Sequence, residues 1–515
     1  MSVGRTWAVS LTGLVGDLVE VEADLSNQTP AFRIVGLVDR ALGEAQQRVH
    51  NACANSGLPL SRRRITVNLS PASLPKQGSG FDLAIAIAAL ATELPMDAAS
   101  LADTVHLGEL ALDGRLRPVP GILPAVLAAA RAGRRVAIVP EACRAEAELV
   151  DGIRVVPCSS LAAVARWHGL DVEIDEHEGA VASAPTGASA SGSEQAPEVD
   201  LADIRGQDEA IEAVVVAAAG GHHLLMSGPP GAGKTMLARR LPGILPPLDD
   251  ETALQVASIR SLSGTAVDHL SRVPPFEAPH HSVSVAALVG GGSRVLRPGA
   301  IARASGGVLF LDEAGEYSAH ALDSLRQPLE AGSIEIHRAG FRATLPARFQ
   351  LVLATNPCPC GQYGVRGGNC SCPSLAIRRY LGRLSGPLLD RIDIELALER
   401  VSLAQLAVSA TSGPSSGAAR ARVAAARERA ARRLADTPWR TNAEVSGAWL
   451  RDGPLAPEPR VRAPLDTALQ RGALTLRGYD RVLRVAWSVA DLAGHDRLDL
   501  DDVGRALFLK KGADR

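Results

Sequence analysis

Residues Gly228-Pro-Pro-Gly-Ala-Gly-Lys-Thr235 constrain this chain more than any other stretch. They have the form G-x-x-x-x-G-K-[ST]. An apolar run, Leu224-Leu225-Met226, precedes them, and a helical pattern, Met236-Leu-Ala-Arg-Arg-Leu241, follows. Strand, glycine-rich turn and helix in that order predict a phosphate-binding loop. The turn curls backbone N–H groups around phosphate oxygens, and the helix N-terminus adds positive dipole. The binding set is then Gly228, Pro229, Pro230, Gly231, Ala232, Gly233, Lys234 and Thr235. Lys234 would reach the β- and γ-phosphates of a nucleoside triphosphate, and Thr235 would hold Mg²⁺. Composition sharpens the point: of 54 Lys and Arg residues only four are lysine, at 76, 234, 510 and 511. A lysine kept against that bias fits a place that needs a compact ammonium rather than a planar fork.

A matching second half lies downstream. Gly306-Gly-Val-Leu-Phe-Leu-Asp-Glu313 predicts a buried strand with two carboxylates at its C-terminal end. Asp312 would support the Mg²⁺ and Glu313 would polarise the attacking water. Leu353-Ala-Thr-Asn-Pro357 ends another strand with Asn356, which either orients that water or caps a turn. Leu388-Leu-Asp-Arg-Ile-Asp393 sets Arg391 before a further apolar strand. Arg391 is either a finger supplied in trans to a neighbour's ATP, which requires a ring, or half of an ion pair with Asp390 or Asp393. Together these parts predict a hydrolytic ATPase.

The chain divides by composition. Residues 171–200 carry eight acidic residues and no Lys or Arg, and read as a flexible acidic linker. Residues 1–170 alternate strand-like runs (Ile65–Leu69, Val136–Val139, Ile153–Val156) with alanine-rich helical ones (Leu83–Leu90, Leu123–Ala132). Residues 201–398 form the nucleotide core, with strands expected at His222–Met226, Val308–Leu311 and Gln350–Ala354. Residues 399–515 are helical, with a loop at 411–417 and a final helix capped near Leu498-Asp-Leu-Asp-Asp502. The expected fold class is α/β with a parallel sheet. Net charge is −2, so any nucleic-acid contact must come from a local patch. Seven cysteines in 515 residues do not suggest a secreted disulfide scaffold, and the N-terminus lacks the order of a signal peptide. The longest apolar run, Leu83 to Thr92, is about half of what a bilayer needs. A soluble cytoplasmic protein without membrane contact is expected.

From about residue 201 the chain resembles an AAA+ ATPase of the magnesium-chelatase-like branch, and specifically the YifB/ComM family. The resemblance rests on Phe276-Glu-Ala-Pro-His-His-Ser282, Ala287-Leu-Val-Gly-Gly-Gly-Ser293, Arg297-Pro-Gly299 and Asn356-Pro-Cys-Pro-Cys-Gly361, and extends over nearly the whole chain. It implies a homohexameric ring with hairpins at about 279–300 and 332–346. It also implies a helical lid whose second ATP-sensing arginine would be Arg484, with Arg477 and Arg481 as neighbours. The implied function is an ATP-driven motor for branch migration of recombination intermediates in natural transformation. DNA, branched or single-stranded, and recombination proteins are the implied partners. His280, His281, Arg294 and Arg297 on one hairpin, and His337, Arg338 and Arg342 on the other, would contact strands or pack between subunits. The alternative is a magnesium-chelatase-type ATPase that remodels a protein partner for metal insertion.

Two further patterns stand apart. Cys358-x-Cys360 and Cys370-x-Cys372 are separated by nine residues and offer four thiolates for a structural Zn²⁺, or remain reduced thiols. Cys53, Cys143 and Cys158 are scattered, as core fillers would be. Leu74–Leu83 and His106–Arg115 resemble the Lon protease domain, whose fold is ribosomal-S5-like. That resemblance puts Gly80 where the serine nucleophile belongs and Leu123 where its lysine belongs. Neither side chain can form or activate a nucleophile, so a non-proteolytic domain is expected. Arg62-Arg63-Arg64 would be a phosphate contact or a solvated surface run.

Overall fold

The computed structural model describes residues 3–36, 43–76, 78–173, 199–291, 296–338, 341–365, 367–402, 405 and 413–511. The 174–198 part of the acidic stretch, Arg294 and residues 411 and 412 of the expected 411–417 loop lie outside them, and Ser416 and Gly417 of that loop already belong to a helix.

The first layer is a mixed seven-stranded sheet. Its strands are β1 (Gly4–Thr12), β2 (Val15–Ser26), β3 (Ala31–Val35), β4 (Arg64–Ser70), β5 (Thr104–His106), β8 (Val136–Pro140) and β9 (Arg154–Cys158), with a short hairpin of β6 (Glu109–Leu110) and β7 (Leu116–Arg117) beside it. The sheet order is β3-β4-β2-β1-β5-β8-β9. β1 and β2 pair antiparallel from Gly4↔Ala23 to Thr12↔Val15. Gly13, at φ 67°, makes the tight turn between them, a conformation that glycine adopts without steric cost. Val19, Val21, Ala23 and Leu25 are buried at every second position of β2, the period of a half-covered strand. Sequence reading did not name this hairpin, although that alternation marks it. Helix Asp82–Leu90 is apolar on every face after Asp82, which pairs with Arg48, and is buried along its whole length beneath the sheet.

The nucleotide core holds β10 (Leu224–Ser227), β11 (Phe276–Glu277), β12 (Gly290–Gly291), β13 (Arg297–Pro298), β14 (Val308–Leu311), β15 (Ser333–Arg338), β16 (Phe341–Pro346), β17 (Gln350–Thr355) and β18 (Ile394–Ala397). Five of them form one sheet in the order β11-β14-β17-β10-β18, every pair parallel. β14 and β17 are buried at every position, which explains their near-continuous apolar sequence. β17 lies between β10 and β14, so the C-terminal ends of three adjacent strands open on one edge. Antiparallel hairpins β12–β13 and β15–β16 fall within the two expected hairpin regions.

Helices Ser416–Arg433, Leu476–Ala493 and Leu500–Lys511 share an apolar cluster with helix Asp208–Gly220 and β10. Leu476–Ala493 is amphipathic, burying Tyr479, Val482, Leu483, Ala486, Trp487 and Ala490 on one stripe. Thr475 caps its start by accepting from Gly478 N–H, and Gly494 at φ 86° ends it. The N-terminal layer joins the core through helix Ile122–Arg131, which packs on helix Asp250–Leu262. Val9, Leu123 and Val126 share an apolar cluster with Ala257 and Val267 across that seam. Among the described residues no helix is long and apolar enough to cross a membrane.

Candidate active site

The phosphate-loop residues leave the C-terminal end of β10 and enter helix Lys234–Ile244. Gly231 and Gly233 have φ of 80° and 83°, the left-handed region where glycine carries no Cβ clash. At Gly228 a Cβ would meet the Leu398 carbonyl oxygen at 2.4 Å, so only glycine lets the loop pass β18 this closely. Gln207 Nε2 donates to Ala232 O at 2.8 Å and braces the loop from outside, a contact with no local motif to mark it.

Lys234 is 8% exposed. Its Nζ donates to Gly228 O at 2.6 Å, Pro229 O at 3.0 Å and Asn356 Oδ1 at 3.0 Å. Burial lowers its pKa, and the nearby Asp312 and Glu313 carboxylates oppose that shift. Thr235 Oγ1 donates to Asp312 Oδ2 at 2.7 Å. Two neighbouring ligands of an octahedral Mg²⁺ with bonds of about 2.1 Å lie about 3 Å apart, so this oxygen pair fits that ion. Sequence positions 234, 235, 312 and 356 therefore meet at one place.

Glu313 follows Asp312 in a left-handed turn, φ 52° and ψ 45°. Among the described residues it is the only non-glycine with positive φ. That conformation costs about 1–2 kcal/mol, and such strain gathers at working sites. Asp312 Oδ1 accepts from Glu313 N–H at 2.9 Å and holds the turn. The Glu313 carboxylate lies 3.1 Å from His281 Nδ1. His281 packs edge-on against Tyr317, whose hydroxyl donates to Pro279 O at 2.5 Å. The segment leading to hairpin β12–β13 is thus in contact with the carboxylate expected to polarise water.

The arginines lie elsewhere. Arg391, Arg477, Arg481 and Arg484 line a separate 320 Å³ cavity with Glu330, Asp390 and Asp393. Arg391 pairs with Glu330, not with Asp390 or Asp393, and burial lowers its pKa. Arg481 is committed to the buried Asp393, which that arginine and the flanking histidines keep well below the usual carboxylate range despite burial. Arg484 Nε donates to Val445 O at 2.7 Å. Arg477 is exposed, with Asp390 at 3.7 Å. No contact joins Arg391 or Arg484 to the phosphate loop of the same chain among the described residues.

Three family models match the chain: "Magnesium chelatase, subunit ChlI" over residues 200–406, "Subunit ChlI of Mg-chelatase" over 21–143, and "Magnesium chelatase, subunit ChlI C-terminal" over 413–510. Competence protein ComM of Haemophilus influenzae is 39% identical over 509 residues, 98% of this chain and 97% of that protein. The chain belongs to the YifB/ComM family of magnesium-chelatase-like ATPases. YifB of Salmonella typhimurium is 37% identical over 512 residues, 98% of this chain and 97% of its own length. An uncharacterised protein of Mycobacterium tuberculosis is 48% identical over 518 residues, the full length of both. Membership of the YifB/ComM family implies ATP and Mg²⁺ as cofactors.

Of the remaining sequence candidates, the four loop cysteines cluster and the others scatter. Cys358, Cys360, Cys370 and Cys372 come together, with all four sulfurs within 4.8 Å of one another. Arg63 pairs with Glu93, and Arg64 donates to Gln28, so two of the three consecutive arginines have local partners. In the Lon-like stretch Lys76 is buried with Nζ on Pro71 O, while Ser79 donates to Glu109. A Cβ at Gly80 would lie 3.8 Å from Val119, close to Leu123 in the chain.

Proposed function

We propose that this chain is an ATP-hydrolysing ring motor, a homohexamer, that moves branched or single-stranded DNA during recombination. The observation that carries the motor reading is the meeting of Lys234, Thr235, Asp312 and Asn356 at the ends of three adjacent parallel strands. Lys234 exchanges its loop carbonyls for the β- and γ-phosphate oxygens. Thr235 and Asp312 would hold Mg²⁺, which would supply charge neutralisation at the transferring phosphate. Glu313 accepts a proton from the attacking water, and Asn356 orients that water. Arg391 faces away from its own loop, so its proposed part in stabilising the transition state is played on the neighbour's ATP, with Arg484 or the freer Arg477 beside it.

The DNA half rests on similarity to a protein named for competence and on hairpin side chains. His280, Arg297, His337 and Arg342 are exposed, although Glu335 pairs with both His337 and Arg342 and offsets part of their charge. Peptide cleavage has no place in this reading, since Gly80 and Leu123 supply no catalytic group. The test is ATP-dependent strand exchange on a labelled four-way junction, with Lys234→Ala as control. Junction movement by the native chain alone supports the proposal. ATP turnover with neither binding nor movement overturns it and favours remodelling of a protein partner.

A further inference from the structure

The four cysteines lie against the ATP site, and their geometry is specific. Cys358 and Cys360 sulfurs are 3.3 Å apart, Cys358 and Cys370 3.7 Å, and Cys360 and Cys370 3.6 Å. A disulfide would need about 2.05 Å. A tetrahedron of thiolates about 2.3 Å from a central zinc has edges of about 3.8 Å, close to these separations. Cys358 is buried, Cys370 and Cys372 are half-buried, and Cys360 is exposed. Tyr363 N–H points at Cys358 Sγ at 3.4 Å, and Gly361 N–H donates to Cys358 O at 2.9 Å. Gly361 takes φ 74°, so the chain turns sharply between the first cysteine pair and the second. An all-sulfur, four-donor set of this shape suits Zn²⁺ rather than Mg²⁺ or Ca²⁺.

What this knuckle touches gives it a purpose. Cys358 follows Asn356 by two residues, at the end of β17. A Cβ at Gly361 would lie 2.4 Å from Pro230 Cδ, so the knuckle rests directly on the phosphate loop. Cys372 leads into helix Ser374–Leu381, whose buried Tyr380 covers Gly315. There a Cβ would lie 2.3 Å from the Tyr380 ring, two residues beyond Glu313. One compact unit therefore touches the phosphate loop, the Asn356 strand end and the Asp312–Glu313 turn.

We infer that Cys358, Cys360, Cys370 and Cys372 hold one zinc ion, and that this ion braces the three parts of the ATP site against one another. Binding releases the thiol protons to solvent and involves no electron transfer. The bracing half rests on the proposed ATP site; the metal half does not.

The experiment uses the full-length chain. Zinc is counted by elemental analysis, and cobalt(II) replaces it for absorption spectroscopy. One zinc per chain and a thiolate-to-cobalt charge-transfer band are expected. Cys370→Ser/Cys372→Ser should lose both signals and lower ATP turnover about tenfold or more. Absence of metal together with absence of the cobalt band overturns the site. Metal loss with unchanged nucleotide affinity and turnover overturns the bracing role. Because the double variant risks misfolding, the native chain is also stripped by a chelator and reloaded with zinc. Recovery of turnover on reloading supports bracing, and equal turnover before and after overturns it. A chain that holds zinc yet never turns over ATP would refute the hydrolase reading while leaving the metal site in place.

Discussion

The nucleotide core and the N-terminal layer each contain a lysine kept in an arginine-rich chain, and the two lysines end differently. Lys234 and Lys76 are both buried and both donate to main-chain carbonyls of a preceding loop. Around Lys234 the strand ends add Asn356, Thr235 and Asp312 within hydrogen-bond reach of one another or of the ammonium. Around Lys76 no such set forms among the described residues: Ser79 turns to Glu109, and Ser10 donates to Pro75 O. A lysine against the compositional grain marks a demanding position. Only the neighbours that topology brings decide whether the demand is chemical or structural.

The largest effects test the core side of this contrast. Arg391→Ala should lower kcat by about 10³-fold, as loss of a trans-acting arginine does. Mixing it with Glu313→Gln should recover part of the turnover, since adjacent subunits then complete one site. Failure of mixing to rescue would return Arg391 to a purely intrachain role with Glu330. Lys234→Ala should cost at least about 10²-fold in steady-state ATP hydrolysis.

The N-terminal side predicts the reverse. Ser79→Ala should leave ATP turnover unchanged, and neither it nor the native chain should cleave a fluorogenic peptide. Cleavage by the native chain that Ser79→Ala abolishes would break the contrast outright.

Acid should loosen the N-terminal layer. Buried His106 and His168 lie 2.9 Å apart through their Nε2 atoms. Burial lowers His168 to about 4 and holds His106 well below its ordinary value. Both are depressed relative to an unfolded value of about 6.5, so the unfolded chain binds more protons. Their contribution is full above about pH 6.5 and is lost as pH falls towards 4. Thermal melts at pH 7 and pH 5 should show a lower Tm at pH 5. His223 in the core, lowered to about 4 by burial, should add to the same loss.

The smallest effect concerns a cap. Thr475→Ala removes the acceptor for Gly478 N–H and should cost about 1 kcal/mol in a denaturant titration, with ATP turnover retained.

The sequence exposed those parts of the site that one local motif carries. Leu224–Thr235 and Val308–Glu313 each combine an apolar run with a turn, and each run is a buried strand. It did not expose contacts between distant segments. His281 on Glu313, Gln207 on Ala232, Gly361 on Pro230 and Glu330 on Arg391 all depend on packing, which leaves no periodic trace in the chain. The β1–β2 hairpin was legible in principle, because Gly13 and the alternation of Val19, Val21, Ala23 and Leu25 mark it.

The seam between helix Ile122–Arg131 and helix Asp250–Leu262 bears on how the chain can be cut. Gly121 N–H donates to Ser261 O at 3.1 Å, and Leu123 N–H donates to Ser261 Oγ at 3.3 Å. Ala257 and Val267 are buried against N-terminal side chains. Severing the chain in the acidic stretch and discarding the first part would strip cover from these residues and remove one of the two N–H groups that donate to Ser261 O, leaving only Gly264. The ATPase half is not a portable unit. It is packed on a layer that, among the described residues, supplies none to the nucleotide pocket, and cutting that layer away should lower its solubility.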